Sequence, residues 1–96
     1  MPYFGKVVVL NKDGQRLAEA DCDLRGLLLG ERTEYRGYLE HISSPHALAN
    51  VPEGRLLFPN GEKVNVRMTY RETKIRDKSI VKVSFVVEGD VPDEYK

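Results

Sequence analysis

The chain is poor in the features that most often announce a chemistry. It has one cysteine, Cys22, so no disulfide can close within it, and a reducing, cytoplasmic setting is the expectation. It has no excess charge of either sign, with 15 basic and 15 acidic residues, which argues against a partner recognised by the field of the whole surface. It has no apolar run near the roughly 20 residues that span a bilayer. Its opening, MPYFGKVVVLNKDG, has no basic stretch ahead of a short apolar run that Asn11 and Asp13 break, so no export signal is expected. No Walker or Rossmann glycine pattern occurs, since Gly26-Leu27-Leu28-Leu29-Gly30 is followed by Glu31 and no Gly-Lys-Ser/Thr is present. These gaps leave no membrane partner and no cofactor to expect.

What is present is the pattern of a folded β domain. Ninety-six residues make one domain with one core and little room for a deep cleft. Hydrophobic residues at 41% beside charged residues at 31% exclude global disorder. The two halves share a layout. Phe4 to Ala20 reads strand, Gly-containing turn, strand, and Glu53 to Met68 does the same. A third strand-like run follows each, Thr33 to Glu40 and Ser79 to Glu88. Two such ββ-plus-β units predict an all-β fold, a small six-stranded barrel or two-sheet sandwich with a short helical linker.

The expected units are residues 3–41 and 54–88, joined by linker 42–53 and followed by a flexible acidic tail over 89–96. Strand 1 spans Tyr3 to Leu10, and the run Val7-Val8-Val9-Leu10 predicts burial on both faces. Strand 2 spans about Gln15 to Leu24. Ala18, Ala20, Cys22 and Leu24 share one face, and Leu17 is out of phase, which points to a bulge. The GLLLG run reads as a strand end or an apolar loop. Ser44-Pro45 carries a helix-start signal for one or two turns. Asn60-Gly61 is a hairpin signal, and Val64, Val66, Met68 and Tyr70 alternate cleanly on strand 5. The predicted core is Val7, Val9, Ala20, Cys22, Leu39, Leu56, Phe58, Val64, Val66, Met68, Val83, Phe85 and Val87.

Two surfaces are candidate binding sites. Between Glu62 and Lys82 seven basic residues face three acidic ones, a local excess of four that the rest of the chain cancels. Lys63, Arg67 and Arg71 project from one face of strand 5 at intervals of roughly 13 Å, and Lys82 on strand 6 extends that surface. With Tyr38 as an outward aromatic, the stripe suits phosphates or an acidic protein. The plainer reading is a solvated face whose cations guard an edge. The second surface is the apolar run with Leu27 and Leu29, an oligomer or partner contact unless those leucines cap an end of the barrel.

Catalytic and metal constellations are weak. His41, His46, Cys22 and Glu40 match no zinc spacing. Cys22 between Asp21 and Asp23 has a thiol pushed upward and blunted. Ser43 or Ser44 beside a histidine is no stronger, and Asp21 and Asp23 on an open strand face lack the pocket that would split their pKa values. They suit pairing with Lys6 or Arg36 instead. Asp21-Cys22-Asp23-Leu24-Arg25-Gly26 is similar in spacing to the D/N-x-S-x-x-G motif of PilZ domains, six-stranded barrels that bind a cyclic dinucleotide with an Arg-rich segment ahead of that motif. Asp23 replaces the serine and only Arg16 lies upstream, so that activity is not carried over. The expectation is a non-enzymatic interaction module that binds a protein partner or itself. The alternative is a nucleic-acid-binding barrel using Lys63, Arg67, Arg71 and Lys82.

Overall fold

A computed structural model describes residues 3–95; Met1, Pro2 and Lys96 lie outside the described residues. Six strands form, β1 (Tyr3–Leu10), β2 (Arg16–Leu29), β3 (Arg32–Glu40), β4 (Glu53–Leu57), β5 (Lys63–Ile75) and β6 (Lys78–Glu88). Each half of the chain is an antiparallel meander. The two join edge to edge, β3 on β6 and β1 on β4, so the sheet closes in a ring ordered β1-β2-β3-β6-β5-β4. Closure leaves no free edge within the ring.

The elements form where turn chemistry and alternation agree. Gly14 and Gly61 take φ of +83° and +90° at the first turns of the two halves, a conformation that glycine adopts without strain. The bulge at Leu17 is present: Val9 pairs with Ala18 but Leu10 pairs with Arg16, skipping one residue. It turns Leu10 inward beside Val9, and both are buried. Val8 is half-buried, so β1 is apolar on both sides without being sealed on both.

All thirteen predicted core residues are buried, and Leu10, Ala18, Leu24, Leu48, Val91 and Tyr95 join them. The last three close the ends of the ring. Leu48 comes from a 3₁₀ turn, Pro45–Leu48, in the linker. That turn starts after Ser44 as the Ser-Pro pair predicts, but Ser44 makes no side-chain cap. The linker is held instead by Ser43, whose N–H donates to the Glu19 carbonyl at 2.8 Å and whose Oγ accepts from the Glu19 N–H at 2.9 Å.

The opposite end corrects an expectation. The segment after Gly89 is not a frayed acidic tail through the described residues. Val91 and Tyr95 are buried, and a second 3₁₀ turn, Asp93–Tyr95, places the Tyr95 ring 4.3 Å from Phe58 and 4.7 Å from Tyr3, centroid to centroid. The Asn60 N–H donates to the Tyr95 hydroxyl at 3.2 Å. The acidic residues made the segment read as solvated. Its two spaced apolar residues provide the burial that holds it.

Two hairpins outgrow the ring, which is the second difference. The β1–β2 ladder ends at Tyr3 and Leu24, and β3 meets β6 only from Arg36 to Leu39. Beyond those limits β2 and β3 pair only with each other, out to Leu29 and Arg32. The GLLLG run is therefore the continuation of a strand, not a loop. In the same way β5 and β6 continue past the β4–β5 ladder to Ile75 and Lys78. Because β2 and β5 run antiparallel in the ring, the two arms leave opposite ends, and the molecule measures 44 × 29 × 21 Å.

Candidate functional site

The ring order decides which predicted site residues meet. Along β5 the outward positions are Lys63, Asn65, Arg67, Thr69 and Arg71, as alternation requires. β6 lies beside it with Arg71 opposite Lys82 and Thr69 opposite Ser84. β3 lies beside β6 with Tyr38 opposite Ser84 and Arg36 opposite Val86. Three strands thus bring Tyr38, Arg71 and Lys82 onto one surface, with Arg36 added from the first half of the chain.

That surface is a groove of about 440 Å³ lined by Arg36, Tyr38, Thr69, Arg71, Lys82 and Ser84, among others, with no carboxylate in its wall. Tyr38 is 61% exposed beside the short Ser84 and Thr69 side chains, which leave its ring open. Arg71 and Lys82 stand directly opposite across an antiparallel pair, an arrangement that destabilises a sheet unless something compensates it. Neither takes part in an ion pair among the described residues. Arg36 donates to Glu34 on its own strand, and of the nearby β2 carboxylates Asp23 accepts from Arg25.

The predicted stripe along β5 does not run unbroken. Arg67 sits opposite Glu53 on β4 and 3.9 Å from Glu88 on β6, so carboxylates flank it on both sides. Glu53 is itself bonded to the Lys12 ammonium, which holds its carboxyl below the ordinary glutamate value. Lys63, exposed at the start of β5, is eight residues from Arg71, roughly 26 Å along an extended strand. Lys63 and Arg67 therefore belong to a mixed-charge surface, and Arg71 and Lys82 to the basic groove. Arg36 was missed as a member. Its alternation with Tyr38 is legible in the sequence, but the strand beside it is not.

The second predicted surface is exposed. Leu27, Leu28 and Leu29 on the β2–β3 arm are 43%, 72% and 41% exposed, on both faces of the ribbon. Leu27 and Leu29 do not cap the ring, whose end is occupied by Tyr3, Phe58 and Tyr95.

The groups able to do proton or nucleophile chemistry are tied up singly. Cys22 is fully buried, and burial, with Asp23 secondary, pushes its thiol up to about 12. His41 Nδ1 lies 2.9 Å from Asp21, whose other oxygen is 3.5 Å from the Lys6 ammonium. His46 Nε2 lies 3.4 Å from Glu72, and the Ser79 hydroxyl donates to the same Glu72 oxygen. Those two partners, Ser79 first, hold the Glu72 carboxyl below its ordinary value. A carboxylate that takes both the serine and the histidine links neither to the other, so this trio is not a serine–histidine relay. No group of three or more His, Cys, Asp or Glu placed to hold a metal ion occurs among the described residues. Within them no helix is long and apolar enough to cross a membrane.

Comparison with known proteins returns no match, whether to a family model, a curated protein or a solved structure.

Proposed function

We propose that this chain is a non-enzymatic interaction module that self-associates through its β2–β3 arm. The observation that carries this reading is the arm itself: three leucines exposed together on a two-stranded ribbon whose outer backbone edges pair with nothing else in the chain. Such a ribbon exposes apolar area and unpaired ladder groups at once, the two things an added chain covers. Its charges favour a second copy as the occupant. Arg25, Glu31, Arg32, Glu34 and Arg36 alternate in sign around the leucines, so an arm laid against its two-fold copy meets opposite charges. A reducing cytoplasm suits the single buried thiol, and completes the reading.

Sedimentation velocity across a wide concentration range tests it. Wild type is expected to form a concentration-dependent dimer, and Leu28→Asp to remain monomeric with an unchanged far-UV CD spectrum. A wild type that is monomeric throughout refutes self-association and leaves the arm to a different protein.

A further inference from the structure

We propose that the outer face of β3, β6 and β5 is a track for single-stranded nucleic acid, with one base stacked on Tyr38 and backbone phosphates on Arg71 and Lys82. This uses a different face from the leucine arm and does not depend on self-association.

The cations are the first argument. Arg71 and Lys82 face each other across the ladder with no ion-pair partner, so their mutual repulsion is uncompensated in the free protein. A phosphate between them would replace that repulsion with two charge-assisted contacts. The groove wall offers Arg36 as a third cation and the Thr69 and Ser84 hydroxyls as hydrogen-bonding groups. Glu34 is engaged by Arg36, Asp23 by Arg25, and Glu40, next on that face of β3, stands opposite Asp21.

The aromatic is the second argument. A patch built only for an acidic surface has no use for an exposed ring at its centre. Tyr38 is flanked on β6 by Ser84, and its row ends on β5 at Thr69. Neither reaches over the ring, so a base can lie flat on it. Stacking is tolerant of sequence because every base has a π-face.

The third argument is continuity. The same face runs down the β5–β6 arm through Ile80 and Thr73 to Lys78 and Ile75, with Lys78 about 13 Å beyond Lys82 along the strand. Ile75 and Ile80 are exposed there, at 54% and 42%. A strip of alternating cation and apolar residues, one ribbon wide, fits an extended single strand. A duplex keeps its base faces stacked inside and has none to give Tyr38.

The test is fluorescence anisotropy with a labelled oligothymidylate of about ten nucleotides, at about 20 and about 200 mM salt. Binding is expected at low salt and should fall steeply at high salt. Arg71→Ala with Lys82→Ala should flatten the log–log salt slope by about 2, one for each lost phosphate contact. Tyr38→Ala should weaken binding on the order of tenfold and leave that slope unchanged. All three positions are exposed, and urea midpoints establish that the variants are folded. The proposal is overturned by no binding at low salt, by equally tight binding of the matching duplex or of thymidine monophosphate, or by a Tyr38→Ala variant that binds like wild type.

Discussion

Gly37→Ala is the sharpest test of how the ring closes. Gly37 lies on β3 opposite Leu24 of β2 on one side and Phe85 of β6 on the other. A β-carbon there would sit 1.7 Å from the Asp23 carbonyl oxygen, 2.8 Å from its carbon and 3.0 Å from Phe85 Cζ. The first two are backbone atoms, which cannot swing aside as a side-chain tip can. To restore ordinary contact, β2 and β3 must part by more than about 1 Å, which stretches the ladder on both sides of the residue. Overpacking of this kind costs roughly 1–3 kcal/mol, and one or two weakened ladder hydrogen bonds add about 1 kcal/mol each. We expect a loss of about 3–4 kcal/mol out of the 5–15 kcal/mol typical of such a domain. At about 4–8 °C per kcal/mol the midpoint should fall by at least roughly 12 °C. The assay is urea and thermal unfolding followed by far-UV CD, with the m-value checked for constancy. Gly61→Ala is the control. At φ +90° with nothing within 4 Å of the added carbon, it should cost only backbone strain, about 1–2 kcal/mol. A Gly37→Ala protein within about 0.5 kcal/mol of wild type would refute the close β2–β3 approach and the argument built on it.

Tyr95→Ala should destabilise by about 3 kcal/mol in urea melts, because it empties the ring end shared with Tyr3 and Phe58; a loss below about 1 kcal/mol would mean that the segment does not seal that end. Arg76, at φ +58° in the β5–β6 turn, is a non-glycine residue in the left-handed region. Arg76→Gly should raise stability by up to about 1 kcal/mol, read as a higher urea midpoint. Cys22 should react with a thiol reagent only after unfolding. Because its pKa is raised in the folded state, its contribution is intact below the unfolded value near 9 and is lost as pH climbs from there toward about 12. Urea melts over that alkaline range should lose stability faster for wild type than for Cys22→Ala.

Much of the fold was legible because β structure writes itself locally. Strand 1 ends where its residues stop favouring β and turn chemistry begins, at Leu10 and Asn11. The alternation of Val64, Val66 and Met68 names the inward face of β5 without reference to any other strand. Leu17 announces its bulge by breaking phase. Where the reading failed, composition spoke against position. Leu27 to Leu29 look like a segment seeking cover, yet their strand simply continues beyond the ring. Val91 and Tyr95 sit among acids and prolines that signal a loose end, yet two apolar anchors seven-tenths of a turn of chain beyond the barrel's rim are enough to dock it.

The candidate groove shows the same division. The sequence by itself determined that Arg36 and Tyr38 share one face of a strand, that Arg71 does so on another, and that Lys82 points with Ser84. A period of two is a property of the backbone and needs no partner. Only the tertiary structure decided that β3 lies against β6, which brings those residues together across the join between the halves. Strand order depends on which edges find each other when the ring closes, a long-range choice that no local pattern encodes. The same choice set carboxylates on both sides of Arg67 and left Arg71 facing Lys82.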